Sequence, residues 1–300
     1  SLVYPKEKRG LITGIFGIGS VLGSALGFIL GGIIVAKTGK WQMPFYIFAI
    51  PGFIFGIWAF FLKDYASVKH EGESGLSKRY IIEWLKLFKI KSFTLTTLGQ
   101  ACFGLYVFTW VGWLPAFMIR AYGVDAGTAG TMIGGIALTA VLGSPIGGYI
   151  ADRWQRRNRG GRGYMMALVQ GVNFIMLGII VYFFGAIPIP ALIALMAVQM
   201  ITVSMVNPLL FSLITDVTPV SHRIAGQGLL VTIVYAAGSA IGPWIVGAVS
   251  DAVGGGAMGI RMGFLLLLPV LLASVTLYAF NSRYYADDSE RVIDRVYAEK

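Results

Sequence analysis

Charge is scarce in this chain. Charged residues make up 13% of 300 positions, against roughly a quarter in water-soluble domains. Hydrophobic residues make up 56%, and the mean hydropathy is +0.74. One soluble core of this length could not hide so much apolar surface. Cysteine is reduced to Cys102, which lies in an apolar run, so an internal disulfide is excluded and a buried structural thiol is expected. Histidine occurs only at His70 and His222, both in polar connections without a catalytic partner. HExxH, GxSxG and P-loop motifs are missing, which argues against a membrane-embedded transferase and against an ATP-driven pump. No filter segment or ring of like residues suggests a channel. No cofactor or metal is expected.

Hydrophobic runs take the place of charge. Eight apolar stretches, near 11–36, 43–62, 93–119, 127–151, 164–187, 189–215, 225–250 and 259–281, approach or exceed the roughly 20 helical residues that a bilayer requires. They are long rather than alternating, so lipid-spanning helices are expected and not a barrel. The fold class is therefore an all-α membrane protein, with the lipid bilayer as its main partner. Most connections are short. The exception, 63–92, carries Lys63, Asp64, Lys69, Glu71, Glu73, Lys78 and Arg79, and reads as a solvated linker between domains. Its later part, 77–91, sets Ile81, Trp84, Leu85 and Phe88 against Lys78, Lys86 and Lys89. This pattern reads either as an amphipathic helix in the headgroup region or as an N-terminal extension of the third span. The expected division is 1–62, linker 63–92, 93–282 and a tail 283–300.

The formal charge of +10 is not a nucleic-acid signal, because of where it lies. On alternate-side counting, only Lys37, Lys40, Arg120 and Arg261 fall on one side, and the other 20 of 24 basic residues fall on the opposite side. The positive-inside rule puts the linker and the C-terminus in the cytoplasm, as for a multi-pass protein of a bacterial inner membrane. No nucleic-acid partner is expected.

An internal repeat is present. Gly23-Ser24-Ala25-Leu26-Gly27 with Gly32 matches Gly238-Ser239-Ala240-Ile241-Gly242 with Gly247 at one constant offset, and Pro5 with Arg9 matches Pro219 with Arg223 after a one-residue insertion. Both copies enter from the same side. Parallel repeats of this kind build two-halved carriers. The seventh span is the fifth of its half, so the first span should be the fifth of the other half. Four helices, roughly 120 residues, would then precede Ser1, and the chain alone would not transport.

The segment Gly147-Gly148-Tyr149-Ile150-Ala151-Asp152-Arg153-Trp154-Gln155-Arg156-Arg157 resembles the cytoplasmic signature loop of the major facilitator superfamily. Pro219, Arg223, Gly238, Gly242-Pro243 and Ser250-Asp251 resemble its eleventh-helix region, and the likeness covers essentially the whole chain. Gln155 stands where the family usually has glycine, which predicts a looser turn. Within the superfamily, Trp113-Leu114-Pro115-Ala116-Phe117-Met118-Ile119-Arg120-Ala121-Tyr122-Gly123 is similar to spinster-like lipid and sphingolipid transporters, and organic-anion facilitators share a comparable element. The resemblance implies eight of twelve helices, the fifth to the twelfth. It implies alternating access and a small amphipathic organic solute such as a lysolipid or sphingoid base, with an organic anion or sugar as the alternative.

Several residue roles are expected. Gly19, Gly23, Gly27 and Gly31 form a nearly side-chain-free stripe, and Gly130, Gly134, Gly143 and Gly147 form another. By the family fold these two helices face each other between halves. Gly238 and Gly242 repeat the first stripe. Asp152 is expected to latch onto the N-terminus of the first span and Arg9, with Gly148, Arg153, Arg156 and Arg157 completing the loop or simply fixing topology. For the solute path, Gln100, Tyr106, Trp110, Trp113, Gln199, Ser204, Asn207 and Tyr235 are the candidates, with a kink at Asn207-Pro208. Ordinary helix packing is the competing reading for the aromatic stripe and for these polar groups. No acid or histidine sits in the middle of any span, so a coupling proton would need a relay in the four preceding helices, or the protein is a uniporter.

Overall fold

The computed structural model describes residues 6–61, 84–219 and 222–298, with side chains described at Gly19 and from Val21 to Val292 within them. The described residues are helical throughout, without strands. We label the helices α1 (Lys6–Thr38), α2 (Met43–Ala59), α3 (Lys91–Tyr122), α4 (Ala126–Leu138), α5 (Ala140–Gln155), α6 (Gly161–Tyr182), α7 (Ile189–Val217), α8 (Arg223–Tyr235), α9 (Gly242–Ala252), α10 (Gly256–Leu265) and α11 (Leu267–Ala298). Joined end to end where they abut, they give seven helices long and apolar enough to cross a membrane, with α2 as a shorter apolar eighth.

The helix ends carry their own chemistry. Asp125 caps α4, accepting from the N–H groups of Gly127 (2.8 Å) and Thr128 (3.1 Å). Hydrogen bonds from Thr128, side chain first, hold its carboxyl below the usual carboxylate range. Arg261 reaches from α10 to donate to the carbonyls of Val181 (3.1 Å) and Tyr182 (3.2 Å), the last turn of α6. A cation suits that negative end of the dipole. Asp288 of α11 caps α3 from outside, accepting from the N–H (3.0 Å) and hydroxyl (2.8 Å) of Ser92.

Prolines interrupt the long helices in two ways. Pro145 follows the break between α4 and α5, where the Thr139 hydroxyl donates to the Ile136 carbonyl at 2.6 Å. Pro243 follows a π-helical turn, Ala236–Ile241, that separates α8 from α9. Pro208 instead lies inside α7, which continues through it. A proline deprives the carbonyl four residues earlier of its partner. That carbonyl belongs to Ser204, and the Ser144 hydroxyl from α5 donates to it at 3.1 Å.

The helices α3 to α11 form one packed body around Trp110, Tyr106, Phe117, Tyr278 and Phe264. Trp110 meets Phe264 in a tilted pair at 4.9 Å, and Phe117 meets Phe184 edge-on at 5.2 Å. The last helix runs to Ala298, past the expected end at 282. The cause is an apolar stripe, Tyr278, Tyr285 and Val292, that stays buried beyond the apolar run itself. Of the linker, Lys86–Lys89 forms a 3-10 turn, and Ile90 is extended before α3 begins. The 84–90 segment is therefore separate from α3 and not its extension. The rest of the expected linker helix, 77–83, lies outside the described residues.

Candidate functional site

The signature loop organises one end of the packed body. Arg162, at the start of α6, donates to Asp152 at the end of α5 (2.9 Å) and also pairs with Asp216 of α7. Tyr285 of α11 donates its hydroxyl to the same Asp216. One guanidinium thus ties α5, α6, α7 and α11 together. Arg162 and Asp216 are the sheltered members, at 20% and 32% side-chain exposure, whereas Asp152 is at 60%. Gln155 closes the loop, accepting from the Arg162 N–H at 3.0 Å and donating to the Arg159 carbonyl at 2.9 Å. The expectation of a looser turn is thereby reversed: its amide bridges both ends of the turn, which glycine could not do. Asp152 pairs with Arg162, and the expected partner Arg9 lies outside the described side chains. Arg153, Arg156 and Arg157 stay exposed and line a cavity of about 350 Å³ with Tyr149 and Asp152. Gly148 faces Pro208 across the α5–α7 contact.

The glycine stripes part company with expectation. α1 does pack on α4, but through Gly32. A Cβ at Gly32 would come within 2.9 Å of the Gly130 Cα, and one at Gly127 within 3.0 Å of the Ala36 Cβ. Gly134 is closed by Ala25 and Ile29. Gly19, Gly23, Gly27 and Gly31 have nothing within 4 Å of a built Cβ among the described residues, so they occupy the opposite face of α1. Gly143 and Gly147 meet Ile201, Ser204 and Met205 of α7 rather than α1. Over its described side chains α1 follows α4 and touches α5 only marginally. Gly238 and Gly242 do serve as packing glycines, seating α8 and α9 against Gly104, Leu105 and Thr109 of α3.

The candidates for the solute path divide into two groups. Gln100, Tyr106, Trp110 and Gln199 are buried inside the body. Gln100 accepts from the Tyr278 hydroxyl at 3.0 Å, Trp110 sits in the aromatic core, and Tyr106 lies beside Gln199. The aromatic stripe of α3 therefore serves mostly as packing. Ser204 is taken by Ser144 (Oγ to Oγ 3.1 Å). Trp113 donates to the Pro243 carbonyl at 3.1 Å, bracing the proline-broken helix. Asn207 and Tyr235 remain exposed, and Tyr235 stacks on Phe108 of α3 at 4.9 Å. Neither Tyr285 nor the Ser144–Ser204 contact is foreseen in the sequence. The i, i+7 recurrence of Tyr278, Tyr285 and Val292 was the available signal for the first.

Known proteins agree with this architecture. The chain is 27% identical over 150 residues to a nitrite extrusion protein of Bacillus subtilis, over 50% of this chain and 36% of that protein. It is 26% identical over 168 residues to a probable sulfoacetate transporter of Cupriavidus necator, over 51% of this chain and 38% of that protein. These matches thus span little more than a third of either relative's length. Among solved structures, a bacterial homologue of the human lysosomal transporter Spinster, in an inward-facing, unoccupied conformation, superposes with a TM-score of 0.73 at 16% identity, over 95% of this chain and 73% of that one. The family model of the Major Facilitator Superfamily matches residues 1–187. With more than half of its length under that model, the chain belongs to the Major Facilitator Superfamily.

Proposed function

We propose that this chain forms the larger part of a secondary carrier, helices five to twelve of twelve, which moves a small amphipathic organic solute by alternating access. The observation that supports the reading is the seat of α1 on the packed body. Among the described side chains, α1 rests on α4 through Ala25, Phe28, Gly32 and Ala36, a small-residue seam on which two halves could rock. The signature loop, cytoplasmic on this reading, sets Arg153, Arg156 and Arg157 around a cavity of about 350 Å³, where they would concentrate an anionic headgroup by charge alone. On the body itself, the exposed Tyr235 and Asn207, with Phe108 beside Tyr235, offer aromatic surface and one amide, and no lysine, arginine, acid or histidine lies mid-span. That surface suits an apolar body with a weakly polar group, as in a lysolipid or sphingoid base. The spans described here supply no proton relay, which favours uniport or coupling through further helices.

A second reading, a small anion, is favoured by the printed activities of the sequence relatives, which are nitrite, nitrate and sulfoacetate transport. It ranks behind because a buried anion needs a cation near it, and the spans of this chain offer none mid-span. Quenching of tryptophan fluorescence in the purified chain separates the two. Saturable quenching by a lysophospholipid below its micellar concentration, lost in Tyr235→Ala, supports the first reading. Quenching by sulfoacetate or nitrate alone supports the second and overturns the first.

A further inference from the structure

A second cavity, of about 580 Å³, lies where the linker turn Lys86–Lys89, the α7–α8 connection and α11 meet. Its rim is basic. Lys86 and Lys89 stand three residues apart on a 3-10 turn, a spacing at which side chains eclipse, so both ammonium groups project from one side. Arg291 faces them from α11 with 76% of its side chain exposed, 3.7 Å from Asp288. Asp288 is the one carboxylate in the lining, and it is engaged by the N–H and hydroxyl of Ser92. The floor is apolar, built from Leu87, Val217 and Val292. Leu85, next to Lys86 in the chain, and Ile224, two residues on from the lining residue His222, are 54% and 89% exposed. In water such apolar side chains beside three cations would have no natural partner. At the edge of a bilayer they would meet acyl chains while the cations meet phosphate.

We propose that this cavity binds the phosphodiester headgroup of an anionic phospholipid, with its acyl chains lying along Leu85 and Ile224. The bound lipid pins the linker turn to the α7–α8 connection and to the last helix. The inference rests on the carrier reading only in placing this face at a headgroup layer, and it is tested without any transport. Native mass spectrometry of the purified chain in detergent, titrated with phosphatidylglycerol or with phosphatidylcholine of the same acyl chains, should show about tenfold preference for phosphatidylglycerol. The triple variant Lys86→Gln, Lys89→Gln, Arg291→Gln should abolish the preference. Lys86→Arg with Lys89→Arg, which keeps the charge, should retain it, and so should Lys37→Gln with Lys40→Gln on the other face. Equal retention of both lipids by the unaltered chain would overturn the proposal, as would an unchanged preference in the triple variant. Millimolar inorganic phosphate binding at Lys86 and Lys89 without lipid discrimination would assign the site to a soluble anion and also overturn it. Failure of the lipid preference leaves solute-dependent quenching untouched, so the two readings fall separately.

Discussion

One sequence pattern occurs twice in this chain, and its two copies meet different surroundings. In one copy, Gly238 of the π-helical turn and Gly242 at the start of α9 are closed by α3: a Cβ at Gly238 would lie 2.8 Å from the Gly104 backbone, and one at Gly242 would lie 2.8 Å from the Leu105 carbonyl oxygen. In α1 the equivalent Gly23 and Gly27 face open space among the described residues. The filled copy lets two backbones approach closely where lipid supplies no hydrophobic drive. Among the described residues, α1 meets the packed body through other positions, Gly32 with Gly127 and Gly130, and Ala25 and Ile29 with Gly134.

The largest test of that comparison is a matched pair of substitutions. Gly238→Val should cost about 3 kcal/mol of stability in detergent, because the new side chain has no space against Gly104. Gly23→Val should change it by less than about 0.5 kcal/mol. A thermal or denaturant unfolding series reads both, and similar costs would break the comparison. A smaller effect sharpens the contrast between the packed body and α1. Arg162→Met should cost about 2–3 kcal/mol by stranding Asp216. Asp152→Asn, at a far more exposed carboxylate, should cost less than about 1 kcal/mol. The reverse order would move the centre of the network from Asp216 to Asp152. The smallest effect concerns the seam beneath α1. Asp125 has its folded-state pKa depressed by Thr128, so its cap is present at neutral pH and is lost as pH falls through that depressed value, below about 4. Exchange at the Gly127 and Thr128 amides should speed up in that window and lose the pH step in Asp125→Asn.

Much of the fold could be read in advance because lipid imposes simple rules. The apolar runs located every long helix, and the repeat marked α1 and α8–α9 as equivalent. Orientation within the bundle was harder. Composition does not tell which face of an all-apolar helix meets a neighbour, so Tyr106, Trp110 and Gln199 looked like a lining and turned out to be interior. The same limit hid the seat of Gly23 and Gly27, since a glycine stripe states that something packs closely but not what. The signature loop was legible as a motif. Its pairing was not, because Asp216 and Tyr285 come from helices far along the chain and reach Arg162 only after folding.

Site-directed labelling probes the proposed solute path most directly. In a Cys102→Ser background, Tyr235→Cys and Asn207→Cys would be exposed to a membrane-impermeant maleimide from the cytoplasmic face, with Leu168→Cys as an exposed apolar control. The account predicts that the first two label, that saturating solute protects them, and that the control stays inert. Labelling of all three alike, or of none, would contradict a solute-lined face on α7 and α8.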